Sequence, residues 1–356
     1  MTASRVEERP VLDIPVVYGP RQPLPLLAPH LVGESTGSFV NRLAHHNGME
    51  LHEFLDRVGQ GKASEDPERV GKYPQYTEMY VNAEGLCYLA VLTDQPETFL
   101  QRTLPSLAEQ HLLPGTGEAV WRWPWEPSDG HLVRCCSLCA QDRGVGEPAW
   151  LMSPDSWRVC PRHLRWTDDS RSDAPAFIEL AELPETVPAH RQRQRLRRWF
   201  GPAGEELFAD AFQIAVHWWT SMPDTTLWVQ RARSAGLEAR AMRVAPLVVY
   251  PEAAALALTM LRFEQAGERD LAGRARWLAG VQQLMDRWEV DFGAGKQPLL
   301  TWLERHSQAA VPALPHSPGR RRLTLALGHN RIATRTGSLD RRSCLPWQLG
   351  MAAPEL

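Results

Sequence analysis

The sequence predicts a mainly α-helical, multi-domain protein with a helix-turn-helix-like N-terminal region and a central Cys3His zinc finger. Three observations support this fold class. Apolar residues recur at helical spacing between Phe39 and Val58. Two short pairs of metal-binding residue types lie between Cys136 and His163. Beyond residue 200, glycine and proline separate several long stretches with helical patterns.

The length of the chain and its composition favour more than one folded core. It has 356 residues, of which 43% are hydrophobic, which is typical of globular proteins. We expect five segments: an extended Pro-rich arm (1–30), an N-terminal helical, helix-turn-helix-like part (31–128), a zinc-finger part (129–168), a C-terminal helical region (169–316) and a basic flexible tail (317–356). Six prolines between Pro10 and Pro29 make the arm extended, because proline cannot donate a backbone hydrogen bond.

The segment from Val40 to Val58 predicts two short helices joined at Asn47-Gly48. The small Ala44 suits a close approach of two helices, and Gly48 suits a turn with a positive backbone angle. A DNA-reading helix-turn-helix and a plain packing hairpin both fit this pattern. A further helix is predicted over 98–112, with a kink or break at Pro105.

The most informative motif is Cys136-Ser-Leu-Cys139 followed by Cys160-Pro-Arg-His163. Three thiolates and one imidazole form the ligand set of a closed, tetrahedral Zn²⁺ site, which leaves no position for water or substrate. The spacing favours Cys136 over the adjacent Cys135, although both gaps occur in zinc sites. The motif therefore predicts a structural zinc ion.

Several tryptophans flank the two ligand pairs, and packing around the ion is favoured for them over stacking on bases. The C-terminal region then predicts helices over about 203–219, 225–235, 251–265, 270–289 and 298–306.

Arginines supply the candidate DNA contacts. The formal charge of −3 hides an asymmetry, because residues 1–188 carry 16 Lys/Arg against 27 Asp/Glu, and the remainder carries 23 against 15. Basic clusters bind phosphate without reading sequence, but they also occur on ordinary solvated surfaces. The candidates lie beside the zinc motif, in a run before Trp199 and in the tail: Arg158, Arg162, Arg165, Arg191, Arg193, Arg195, Arg197, Arg198, Arg320, Arg321 and Arg322.

The sequence offers no positive sign of catalysis. It has no His-x-Glu pair of a nucleobase deaminase, no His-Glu-x-x-His helix and no phosphate-binding Gly-x-x-x-x-Gly-Lys-Ser/Thr loop. The six cysteines do not resemble an evenly spread disulfide framework, and no long apolar segment suggests secretion or membrane insertion. We therefore expect a cytoplasmic protein that is not an enzyme and does not contact a membrane.

Two separated groups of motifs resemble the TniQ family, the target-selection proteins of Tn-seven-like and related transposons. Near the start, Gly33-Glu-Ser35, Ser38-Phe-Val-Asn-Arg-Leu-Ala44 and Asn47-Gly48 are similar to the family's opening signature. Arg134-Cys-Cys-Ser-Leu-Cys139 and Trp157-Arg-Val-Cys-Pro-Arg-His163 are similar to its zinc finger. The resemblance covers roughly residues 24–166, and the C-terminal half offers no matching motif.

This resemblance implies a non-catalytic adaptor that binds target DNA, or a complex already on that target. It also implies recruitment of an AAA+ ATPase regulator, which in turn brings the transposase, so that the transposase is an indirect partner. A homodimer is a further possible assembly. The alternative function is a transcriptional regulator that uses the same zinc-finger and helix-turn-helix parts to bind DNA without a role in transposition.

Overall fold

A computed structural model describes residues 19–63, 73, 76–124, 126–170, 176–222, 224–239, 241, 244–267 and 270–308 of the chain. Internal contacts divide it into two compact units, at the boundary between residues 125 and 126. Most of the predicted Pro-rich arm and the whole predicted basic tail, with Arg320, Arg321 and Arg322, lie outside the described residues.

The N-terminal unit combines four α-helices with a small sheet within its described residues. The helices are α1 (Thr36–His46), α2 (Leu51–Val58), α3 (Ala83–Thr93) and α4 (Glu97–Thr103). Two single turns of 3-10 helix follow, at Pro105–Leu107 and Glu109–His111. Strands β1 (Gln60–Ala63), β2 (Tyr80–Val81) and β3 (Val120–Trp123) form the sheet in the order β1-β3-β2, with β1 parallel and β2 antiparallel to β3.

The two predicted N-terminal helices are present as α1 and α2, and the helix predicted over 98–112 breaks at Pro105. The apolar face of α2, with Phe54, Leu55 and Val58, is buried, and the helix packs on α1, α3 and the sheet. Its exposed face includes the acidic Glu53 and Asp56, which would repel phosphate. The hairpin is therefore observed, whereas a DNA-reading helix-turn-helix stays a prediction.

A buried ion pair holds the start of α1. Glu34 and Arg42 are 0% and 2% exposed, and they form a two-pronged contact: Arg42 Nε donates to Glu34 Oε1 at 2.9 Å and Nη2 to Oε2 at 2.7 Å. Arg42 Nη2 also donates to the Pro29 carbonyl, and the Ser38 hydroxyl donates to Glu34 Oε1. The neighbouring Ser35 caps α1 by accepting from the Ser38 backbone N–H. The Glu-Ser and Arg-Leu-Ala motifs thus build one buried polar cluster.

Asn47 fixes the end of the extended arm to the helical hairpin. Its side chain accepts a hydrogen bond from the Leu26 N–H and donates to the Leu26 and Leu43 carbonyls. The next residue, Gly48, has a φ of +64°, which glycine adopts without steric strain. The Asn-Gly motif therefore closes α1 and holds the arm at the same time.

Glu78 is a fully buried carboxyl beneath the first turn of α1, where its Oε1 accepts from the Gly37 and Met79 N–H groups. Burial raises the pKa of Glu78 from 4.5 to about 7, against the opposing effect of its hydrogen bonds. Between pH 4.5 and about pH 7, the Glu78 carboxyl is protonated in the folded state but ionised in the unfolded chain. The stability that this proton provides is therefore lost as pH rises through this window.

We expect Glu78→Gln to leave stability nearly unchanged at about pH 5 and to raise the free energy of unfolding above about pH 7, by up to ~3 kcal/mol, since the amide cannot ionise. Denaturant melts of both proteins across this range measure the difference. A difference that does not change with pH would contradict the predicted titration.

The C-terminal unit begins with two β-hairpins. Strand β4 (His131–Arg134) pairs with β5 (Trp150–Ser153), and β6 (Trp157–Cys160) pairs with β7 (Arg165–Asp168), which also pairs with β8 (Ile178–Glu179). A short helix α5 (Ser137–Gln141) follows β4. No strand was predicted here from the sequence.

Seven helices complete the described part of this unit: α6 (Thr186–Phe200), α7 (Pro202–Ser221), α8 (Thr226–Ser234), α9 (Ala245–Val248), α10 (Tyr250–Ala266), α11 (Leu271–Arg287) and α12 (Phe292–Gln308). The five helices predicted beyond residue 200 correspond to α7, α8, α10, α11 and α12. Helices α6, α7 and α10 pack on one another around a large apolar core. Within the described residues, no helix combines the length and apolar character that a bilayer span requires.

The hairpin β6-β7 is built into this helical core. Trp157 of β6 and Trp166 of β7 stack with ring centroids 4.6 Å apart, and Tyr250 of α10 meets both rings edge-on. The predicted packing role of these tryptophans is therefore observed. Because β6 ends at Cys160, the same hairpin joins the cysteine motif to the helices.

Candidate metal centre

Four side chains from two chain turns converge at the ends of the hairpins. Cys136 follows β4 after one intervening residue and is the N-cap of α5, which carries Cys139. Cys160 is the last residue of β6, and His163 lies in the turn to β7, just before Leu164, which adopts a φ of +51°. The pairing of β4 with β5 and of β6 with β7, with β4 next to β7, brings the two ligand pairs together.

The ligand atoms lie within 4.8 Å of one another and could hold one metal ion. His163 Nδ1 is 3.5 Å from Cys136 Sγ, 3.2 Å from Cys139 Sγ and 3.5 Å from Cys160 Sγ. The sulfurs of Cys139 and Cys160 are 3.5 Å apart, far beyond a disulfide bond length of about 2 Å. The four residues predicted as ligands therefore form one compact cluster.

Two features of the surroundings of the cluster bear on metal binding. Burial, followed by the neighbouring Cys160 and Cys136 thiols, raises the pKa of Cys139 to about 12. A metal ion would reverse this effect by stabilising the thiolate, so binding would release protons. Asp142 Oδ2 lies 4.0 Å from His163 Nε2, and a carboxylate beside the outer nitrogen of a histidine ligand is common at metal sites.

Cys135 lies outside the cluster of Cys136, Cys139, Cys160 and His163. Its backbone N–H donates to the Ala149 carbonyl, and its thiol lies 3.6 Å from the Cys136 carbonyl. The geometry therefore selects Cys136 from the two adjacent cysteines.

The three arginines near the cluster differ in their surroundings. Arg158 is exposed on β6. Arg162 is 70% exposed and pairs with Asp142 at 2.7 Å. Arg165 is partly buried: it donates to the Ser137 hydroxyl, pairs with Glu179 at 3.5 Å and lies over the Phe177 ring at 3.7 Å. Arg165 thus stabilises the base of the cluster, while Arg158 and Arg162 face solvent.

The arginine run forms most of α6, and its members also separate by environment. Arg191, Arg195, Arg197 and Arg198 are exposed, and Arg197 pairs with Glu205 at 3.0 Å. Arg193 is different, because it is mostly buried and its Nη1 lies 2.6 Å from Asp155 Oδ2. Its guanidinium also lies 5.1 Å from the centroid of Trp157 and 4.4 Å from that of Phe208. Arg193 is therefore occupied within the fold and is poorly placed to contact DNA.

A hydrogen-bonded group of residues beside Arg193 was not predicted from the sequence. His190 Nδ1 is 2.9 Å from the Tyr250 hydroxyl, and its Nε2 is 2.9 Å from Gln194 Nε2. Burial, followed by the charges of Arg193 and Arg158, lowers the pKa of His190 to about 4, so the imidazole is neutral near pH 7. In the sequence, the apolar Leu196 interrupts the charged run three residues after Arg193. This was a sign that α6 has a buried face.

A family profile described as TniQ matches residues 25–165, which include both the Glu34–Arg42 cluster and the cysteine–histidine cluster. The chain carries a TniQ domain. This confirms the resemblance noted in the sequence, and the TniQ family implies a role in transposition target selection. No curated protein and no solved structure gave a significant match to the chain. The TniQ domain thus extends over the N-terminal unit and the start of the C-terminal unit.

Proposed function

We propose that this chain is a non-catalytic target-selection adaptor in DNA transposition. In this function it binds target DNA, or a complex on that target, and recruits an AAA+ ATPase regulator that brings the transposase. The observation that carries the proposal is the TniQ match over residues 25–165, since this domain family is associated with target selection. We also propose that the chain is organised in the five segments predicted from the sequence and that it forms a homodimer.

The metal in this proposal is zinc, held by Cys136, Cys139, Cys160 and His163. A tetrahedral zinc ion with bonds of about 2.3 Å to sulfur and about 2.0 Å to nitrogen separates its ligand atoms by roughly 3.5–3.8 Å. Four of the six distances between the cluster atoms are 3.2–3.5 Å, close to these values. With four protein ligands the ion has a structural role, which agrees with a function in binding rather than catalysis.

The exposed arginines are the proposed contacts to DNA phosphate. Arg158 and Arg162 lie by the metal cluster, and Arg191, Arg195, Arg197 and Arg198 lie on α6. Arg320, Arg321 and Arg322 stay in the proposal from the sequence alone. The fold uses Arg193 and Arg165 internally, so we assign them to stability.

The proposal predicts that the partner AAA+ regulator is retained on immobilised target DNA only when this protein is present. Transposase retention should require both proteins. Pull-downs over a salt series measure each step, and retention should fall as salt rises because phosphate contacts are screened. Cys135→Ser should behave as the native protein, whereas Cys139→Ser should lose recruitment.

Retention of the regulator that does not depend on this protein would overturn the adaptor function. Tight binding to a specific duplex with no effect on the regulator would instead support the transcriptional alternative. Recruitment by a Cys139→Ser protein that lacks zinc would show that the metal cluster is dispensable for the function.

A further inference from the structure

The outward face of α6 carries three arginines in a row. Arg191, Arg195 and Arg198 have the spacing i, i+4 and i+7, so they lie on one side of the helix. The opposite side packs into the core through Ala189 and Leu196. We call the three arginines, together with Trp199, the α6 face.

The cations of this face are free to bind an external anion. All three side chains are exposed, and none forms an ion pair with another residue in the part of the chain that the structure describes. Nearby carboxylates have other partners: Asp155 pairs with Arg193, and Glu205 pairs with Arg197. The positive charge of the face is therefore not neutralised locally.

An exposed indole completes the face. Trp199 lies one turn beyond Arg195 and is 68% exposed, whereas the side chains of Trp157 and Trp166 in the same unit are buried. An exposed tryptophan beside unpaired arginines presents a flat π surface next to positive charge. Single-stranded nucleic acid combines a backbone that attracts such charge with unstacked bases that stack on such rings.

The dimensions agree with this class of ligand. Seven residues of α-helix rise about 10 Å, so the three arginines can contact neighbouring phosphates of one strand. A base inside a duplex is covered on both faces by its neighbours and offers no free surface to an indole. The charge of the face is complementary to DNA, and the ring is complementary to an unpaired base.

We propose that the α6 face binds an unpaired DNA strand, with phosphates on Arg191, Arg195 and Arg198 and a base stacked on Trp199. This inference rests on the proposed role at a DNA target and adds the form of DNA that the protein recognises. It assigns to Trp199 a function that duplex binding by arginine alone does not require.

Fluorescence anisotropy with a labelled single strand of mixed sequence, and with the matching duplex, tests the proposal on the full chain. Trp199→Ala should weaken binding of the single strand about tenfold, because one base–aromatic stack is lost. Trp199→Phe should restore most of the affinity, and duplex affinity should not change in either variant. Arg195→Gln should reduce the slope of log K against log salt for the single strand by about 0.7, the value for one phosphate contact.

Two matched controls separate this face from general surface effects. Arg287→Gln removes an exposed arginine from the last turn of α11, as Arg198 lies in the last turn of α6. Leu271→Ala removes a side chain that is 85% exposed. Both controls should bind the single strand as the native protein does.

Equal loss of duplex and single-strand binding in Trp199→Ala, or no loss in either, would overturn the inference. It would also be overturned if Trp199→Ala affected only retention of the AAA+ regulator, since the face would then bind protein. The proposed function is tested separately, by recruitment of the regulator to DNA by the native protein. If the native protein recruits the regulator, the proposed function stands whatever the result for the α6 face. If it does not, the proposed function fails.

Discussion

Replacing Cys139 with serine is expected to abolish zinc binding and to unfold the β4-β7 region. Cys139 Sγ lies 3.2 Å from His163 Nδ1 and 3.5 Å from Cys160 Sγ. Structural zinc sites in zinc-finger peptides bind their ion with apparent free energies of about 10–16 kcal/mol near neutral pH, and much of this is folding free energy. Serine provides no thiolate, so most of this stabilisation should be lost.

The loss should extend beyond the cluster, because the ligand Cys160 ends the strand that carries Trp157. The stacked pair of Trp157 and Trp166 packs against Tyr250 in the helical core. We therefore expect the near-ultraviolet circular dichroism of the aromatic residues to collapse together with the zinc content, which elemental analysis measures. Chelation of zinc from the native protein should give the same change.

Cys135→Ser is the matched control, since it removes the adjacent thiol that lies outside the cluster. It should retain one zinc ion per chain and a native aromatic spectrum. Zinc loss in Cys135→Ser, or an unchanged spectrum in a zinc-free Cys139→Ser protein, would contradict the assigned ligands or their role in holding the fold.

Local spacing in the sequence was sufficient to predict the metal cluster. A two-residue gap between cysteines and between Cys160 and His163 restricts each pair to a tight turn, so the ligand set follows from the pattern itself. The helices beyond residue 200 could also be predicted from the sequence, because glycine and proline disrupt the helical backbone and so mark the ends of the helices. The short strands could not be predicted in this way, because their four-residue length is at the lower limit of what alternation can reveal.

The sequence did not predict which arginines are buried and which face solvent. Arg193 and Arg195 are two residues apart in one charged run, yet one is buried against Asp155 and Trp157 and the other faces solvent. Only the packing of α6 against β6 and α7 decides between them. Similarly, Glu34 and Arg42 were visible as motif residues, but their mutual contact depends on how the chain enters α1.

Replacing Arg42 with methionine is expected to destabilise the N-terminal unit by about 3–5 kcal/mol, because it leaves the carboxylate of Glu34 buried without its partner. The loss should be larger than for a surface ion pair, which contributes about 0–1 kcal/mol. The change also removes the donor to the Pro29 carbonyl, so the arm that precedes α1 should loosen. Hydrogen exchange of the α1 amides in the full chain measures the free energy of this local opening.

A double-mutant cycle separates the ion pair from the packing of its side chains. Glu34→Gln alone removes the negative charge, and the double variant Glu34→Gln/Arg42→Met leaves no buried charge at this position. We therefore expect the double variant to be much less destabilised than the sum of the single variants, with a coupling energy of about 2 kcal/mol or more. Arg57→Met, an exposed arginine at the end of α2, should change α1 exchange little.

Additive single effects would show that Glu34 and Arg42 stabilise α1 independently, through Ser38 and Pro29 respectively, and not as a pair. A coupled result would instead explain why the two residues occur eight positions apart at the start of the TniQ domain. Arg42 links Glu34 to the Pro29 carbonyl of the arm, and Asn47 holds the same arm from the other end of the helix. Loss of either contact should then expose α1 amides at both ends, whereas loss of the metal cluster should leave them protected.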